Sequence, residues 1–499
     1  RSKAEATDQK DVKVIRRPRS ACVGVAHSAR RPRKKPRRKK RKKTNKGKPV
    51  RLAPPLSAHG TQFTRTPRGK ELPVIIGLDF GTASTKVIVR TPYFLNGKAY
   101  AVPFDEHCGG GNPYLLPSRL VETRDGEFEL GGESGARKVI PNVKGMLMGI
   151  VNAPAGQDAM ALATWFLALV LQNVRGWFLQ SLRNTHADRQ LSWSLQIGIP
   201  AAGHDDDRVR SSFERTARAA WIASLAAGRP DARDIRSAIK ASANPEMALR
   251  DCEHVGAIPE VVAEVVGYAR SDRRREGLHF LVDVGATTLD VCGFRLDSNG
   301  AVDHYKLYST EITKHGTSCL QRSRFEALSK VEARIDPIAP LPPSFLTSLP
   351  DYLLAQTAVN EAENDFARAA RLTITRVLWH VRKDRDPNAS AWRHGVPIFR
   401  CGGGGEAHFF QELIDELDSW LKKHVDQCQG ARVLRLERPP HDRLDADIDA
   451  GDFHRLAVAW GLSYPDVEIG EIIRPQAIED MDLEEVRRVF PDYVGAEQM

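Results

Sequence analysis

Two segments far apart in this chain read alike, and that echo constrains the fold more than any other feature. Val74–Val89 is V-I-I-G-L-D-F-G-T-A-S-T-K-V-I-V, and Phe280–Phe294 is F-L-V-D-V-G-A-T-T-L-D-V-C-G-F. Each is an apolar run, an Asp-x-Gly with small hydroxyl residues, and a second apolar run. Asp79 matches Asp283, Gly81 matches Gly285, Ser84 matches Thr288 and Lys86 matches Asp290, at a constant offset of 204 residues. Short apolar runs flanking a Gly turn predict a β-hairpin. Two such hairpins predict two related α/β lobes that face one another.

The pattern also suggests a chemistry. A tight Gly turn lets backbone N–H groups point at a phosphate with no side chain in the way. The hydroxyls of Thr82, Ser84, Thr287 and Thr288 can donate to phosphate oxygens. Asp79 and Asp283 would repel phosphate unless a cation lies between, which implies Mg2+ or its waters. A third element, Pro397–Leu413, runs from a short apolar strand into Gly402–Gly405 and then an amphipathic helix starting near Glu406. Its glycines would let a flat ligand or a sugar approach the backbone, beside the positive end of a helix dipole.

In this order the three elements resemble the actin-like ATPase superfamily, which includes actins, sugar kinases and the 70-kDa heat-shock (DnaK-like) chaperones. The two hairpins resemble its two phosphate motifs, and Gly402–Gly404 its adenosine motif. The chaperone ATPase domain is the most similar branch. The likeness there extends to Leu116–Gly149, to I-G-I-P-A at Ile197–Ala201 with the helix expected over Asp205–Trp221, to Pro259–Tyr268 and to L-A-V-A-W-G-L at Leu456–Leu462. The resemblance covers residues 73–465. It implies a two-lobed, ribonuclease H-like fold with a nucleotide cleft between the lobes. Residues 73–275 would form lobe I, 276–449 lobe II, 450–465 a helix returning to lobe I, and 466–499 a C-terminal tail.

Carried over residue by residue, the resemblance implies ATP or ADP with Mg2+ as the ligands. Asp79, Glu260 and Asp283 would hold the metal, mostly through water. Lys144 would reach the γ-phosphate and help place the attacking water. Gly81, Thr82 and Ala83 would line the first phosphate loop, and Gly285, Ala286, Thr287 and Thr288 the second. Gly402, Gly403 and Gly404 would contact the adenosine. The expected activity is slow hydrolysis of Mg-ATP as a conformational switch acting on a protein client or regulator. A small-molecule kinase of the same fold and a non-enzymatic actin-like scaffold or filament remain the alternatives. Departures include Ala83 in place of a hydroxyl, Ala286 in place of Gly, Val261 in place of Pro, Glu406 near where an Arg meets the adenine, and His454–Arg455 where the family often has an Asp. The 34 residues after Pro465 are too few for the chaperones' peptide-binding domain.

Charge divides the chain unevenly. Of 74 Lys/Arg and 63 Asp/Glu, residues 1–70 hold 25 and 3, which leaves a net acidic remainder. Residues 1–72 therefore read as a disordered basic tail, because a self-repelling run cannot bury apolar area. Residues 30–48 would grip nucleic-acid phosphates or an anionic surface without sequence preference. An acidic remainder argues against a protein devoted to nucleic-acid binding. The 7 cysteines are scattered, odd in number and without a C-x-x-C, which predicts a reducing, cytoplasmic setting. The longest apolar run, Ala159–Leu171, predicts a buried core helix and no membrane span. A short helical pattern at Asp482–Phe490 lies near the end of the sequence.

Overall fold

The computed structural model describes residues 69–478, apart from 110, 132–136, 187, 202, 204–205, 301 and 328–351. Residues 1–68 of the basic tail and the helical pattern at 482–490 lie outside this set.

Both expected hairpins form. β1 (Lys70–Phe80) and β2 (Ser84–Arg90) are antiparallel, with Asp79 opposite Lys86. β3 (Ala99–Ala101) continues antiparallel from β2, while β4 (Arg189–Ile199) and β5 (Cys252–Pro259) add in parallel on the other side of β1. Further along the chain, β6 (Gly277–Val284) and β7 (Leu289–Asn299) are antiparallel, with Asp283 opposite Asp290. β8 (Val302–Thr313) continues antiparallel from β7, and β9 (Val396–Cys401) and β10 (Ala431–Leu434) add in parallel beyond β6.

The chain is thus mixed α/β, and its two large sheets share one order: β3-β2-β1-β4-β5 and β8-β7-β6-β9-β10. The senses agree strand by strand. The likeness runs one strand further, since β11 (Leu444–Asp445) lies parallel to β3 and β12 (Glu471–Ile473) parallel to β8. A third, three-stranded antiparallel sheet comprises Arg119–Glu122, Phe128–Leu130 and Lys138–Pro141.

Parallel neighbours need a crossover, and here helices supply it. Ala159–Ser181 and Asp207–Ser224 lead into β4 and β5, and Tyr352–His380 and His408–His424 lead into β9 and β10. Ala159–Ser181 is the one described helix long and apolar enough to cross a membrane. It lies in the interior instead, with 83% of its apolar window buried. Asp158 caps it, accepting from Ala161 N at 2.7 Å, and Phe166, Val170, Val174 and Phe178 pack into the core of the first sheet. The second sheet has its own core with Phe410, Leu413 and Ile374.

A further core lies between them, built on the helices Glu260–Ala269 and Ala457–Leu462. Ala457–Leu462 lies close against both Glu260–Ala269 and β1 because a glycine sits at each contact. A Cβ at Gly77 of β1 would collide with Ala459 O, and one at Gly461 with Ala263 O. The return to the first sheet begins before residue 450, because Leu444–Asp445 already pairs with β3. Residues 466–473 are no tail either. They cross back so that Glu471–Ile473 closes the edge of the second sheet. The first sheet likewise begins at Lys70, three residues before the start expected for lobe I.

Candidate functional site

A cavity of 410 Å3 opens where the turns of both hairpins meet the two crossing helices. Asp79, Gly81, Thr82, Ala83, Lys144, Glu260, Asp283, Gly285, Ala286, Thr288, Gly402, Gly403 and Gly404 all line it. Thr287 lies within the second turn, between Gly285 and Thr288, but is not among the residues that line the cavity. Its carbonyl instead accepts from Gly316 N at 3.1 Å and bonds Cys319 Sγ at 3.4 Å.

Each side chain is delivered by a local device. The first turn is held by Ser118 N donating to Ala83 O at 2.9 Å. The second closes on Gly285 N to Thr288 O at 2.9 Å, and is braced by Thr317 N to Gly285 O and Ser318 N to Ala286 O. Lys144 stands in the short helix Val143–Leu147. Asn142 caps that helix from a left-handed conformation, φ 53°, accepting from Gly145 N at 3.0 Å. Glu260 opens the crossing helix, and Glu264 follows one turn later on the same face.

The glycine stretch divides its work. Gly402 has φ +74°, and a Cβ there would collide with Asp283 Oδ1 and Val284 O. Gly404 is pressed against Thr317 and Val284. These two glycines are therefore required by chain packing as well as by any ligand. Gly403 faces the Arg455 guanidinium. Glu406 turns away, accepting from Arg400 Nη2 at 3.2 Å, and the helix starts two residues later than expected, at His408.

Charge is uneven across the cavity. Lys86 Nζ donates to Asp79 Oδ2 at 2.9 Å, and Lys144 Nζ to Glu260 Oε1 at 2.5 Å. Both pairs are largely shielded from solvent. Asp283, Asp290 and Glu264 also line the cavity, and Asp283 Oδ1, Asp290 Oδ1 and Glu264 Oε2 are buried without a hydrogen-bond partner. Thr288 Oγ1 reaches Asp290 Oδ2 only at 3.5 Å. Burial, reinforced by the carboxylates of Glu260 and Asp79, pushes the Asp283 carboxyl up to about 7. Burial and the neighbouring Asp283 raise Asp290 and Glu264 well above the usual carboxylate range. Burial opposes the charge of Lys144, but Glu260 outweighs it and the ammonium is held above its ordinary value.

Among the described residues no three His, Cys, Asp or Glu side chains are grouped to hold an ion directly. Three buried, unpartnered carboxylate oxygens nonetheless need protons or a cation that keeps its own water shell. Lys86, Asp290, Glu264, His454 and Arg455 are the other charged and histidine side chains of the lining, and Ser84 lines it too. Glu264 is the addition the sequence analysis passed over, and its signal was the four-residue spacing from Glu260. No protein-family model matches the chain, and no curated protein sequence matches it.

Proposed function

We propose that the chain is a two-lobed, actin-like ATPase, most similar to the ATPase domain of DnaK-like chaperones, that binds Mg-ATP in the 410 Å3 cavity and hydrolyses it slowly as a conformational switch. The observation that carries this reading is convergence: two Asp-Gly hairpins in two sheets of identical strand order meet one buried Lys–Glu pair at one cavity.

In this reading the turns at Gly81–Ala83 and Gly285–Thr288 present backbone N–H groups to the phosphates. Asp79, Glu260 and Asp283 hold the waters of Mg2+, and the unpartnered Asp283 Oδ1 fits that role. When bound, the ion supplies charge neutralisation at the phosphoryl oxygens. Lys144 adds positive charge at the γ-phosphate from a position fixed by Glu260. Asp283 would orient the attacking water and take up its proton at a carboxylate oxygen. Gly403 and Arg455 border the nucleoside. Positioning and electrostatics do most of the work that phosphoryl transfer asks of a protein.

A second reading, a small-molecule kinase of the same fold, draws support from Asp290 and Glu264, two further buried carboxyls able to face a substrate hydroxyl. Phosphate release from Mg-ATP by the full chain separates the cases. Slow release, reduced about a hundredfold or more in Lys144→Ala while ATP still binds, is the expected result. Release that appears only with an added alcohol or sugar moves the assignment to the kinase. Failure to bind any nucleotide overturns both and leaves a scaffold.

A further inference from the structure

A larger cavity, 680 Å3, lies at two of the three connections by which the chain passes between its large sheets. Ser271–Arg275 leads from the crossing helix to β6, Arg435–Glu437 leaves β10 towards β11, and both segments line it. Its inner wall is aromatic, with Tyr268, Phe399, Phe453 and Trp460.

Its charge is positive. Five arginines face it, against Glu264, Asp272 and Glu437. Three of the five are committed: Arg273 pairs with Glu437, Arg274 with Asp303, and Arg435 with Glu406. Arg275 and Arg432 have no acidic partner among the described residues. Trp460 Nε1 and Arg432 Nε are buried donors without an acceptor, and Glu264 Oε2 is buried without a partner. Trp460 and Glu264 are each only 3% exposed. Buried donors left unpaired cost free energy, so a wall that keeps them beside aromatic faces and surplus guanidinium is built for an acceptor-rich guest.

We propose that this cavity is a second ligand site that takes a small planar organic anion, with its ring between the aromatic walls and its acid group on Arg432 and Arg275. The site goes beyond the nucleotide reading and does not depend on it. Its occupant touches two of the three inter-sheet connections and so biases the relation of one sheet to the other. Glu264 lines this cavity and the carboxylate cavity alike, so one side chain borders both ligands.

The test uses the full chain and the aromatic sulfonate 8-anilinonaphthalene-1-sulfonate, titrated by its emission without nucleotide. Two variants on the edge strand β10 probe the site: Arg432→Gln removes the cation, and Val433→Trp fills the space. The expected result is one saturable site, weakened at least about tenfold in each variant. No saturable site in the wild type, or a smaller loss in either variant, overturns the proposal.

Discussion

The hairpins β1–β2 and β6–β7 share a turn, a register and a place in matching sheets, yet they differ in charge. In the first, Asp79 faces Lys86 and the pair closes at 2.9 Å. In the second, Asp283 faces Asp290, and each keeps an unpartnered buried oxygen. The first turn satisfies itself. The second holds opposed acids in an interior where like charges cannot both ionise cheaply, so it needs protons or a bound cation. One backbone pattern therefore serves two electrostatic purposes, and a single residue pair, Lys86 against Asp290, decides which.

The sharpest way to break this comparison is Lys86→Ala. It leaves Asp79, 5% exposed, without its partner, and is expected to cost about 3–5 kcal/mol in denaturant unfolding. Asp290→Asn, at the matching position, is expected to leave stability unchanged or raise it. Equal losses in the two variants would show that the hairpins are electrostatically alike.

The pH dependence sharpens the same contrast. Asp283 rises from 3.8 to about 7 on folding, so the folded state holds this proton more tightly than the unfolded chain. The stability it contributes is complete below the unfolded value and is lost as pH rises through about 7. Asp283→Asn is therefore expected to be more stable than wild type at alkaline pH, by on the order of 4 kcal/mol. The advantage should vanish on acidification to the unfolded value. Thermal unfolding of both proteins across that range checks it, and a constant offset would refute the buried, proton-hungry second hairpin.

The smallest effect concerns packing. Gly77 of β1 and Leu281 of β6 occupy matching positions, and at Gly77 the backbone of Ala457–Leu462 leaves no room for a Cβ. Gly77→Ala is expected to cost about 1–3 kcal/mol by overpacking. A neutral result would mean that the return helix shifts freely on its sheet.

Much of this was legible because it is local. Apolar runs around Asp-x-Gly fix a hairpin, since strand period and turn geometry are short-range properties. The apolar run Ala159–Leu171 marks a core helix for the same reason. Other features depended on distant partners. Thr287 shares the second turn with its neighbours by adjacency, but that Gly316 and Cys319 would bond its carbonyl had no local signal. Gly402 read as room for a ligand, while Asp283, more than a hundred residues earlier, also requires it. The strand Glu471–Ile473 is three residues long, with no signal of its own until β8 offers an edge.

The sequence by itself determined the two hairpins, the glycine turn, the core helices and the acids and lysines at their ends, because turn chemistry and periodicity act within a few residues. Only the tertiary structure decided that both sheets share one strand order, that Lys144 meets Glu260, and that Glu264 stands between two cavities. Those facts follow from how helices cross through glycine contacts, and from a charge balance that exists only once distant carboxylates are buried together.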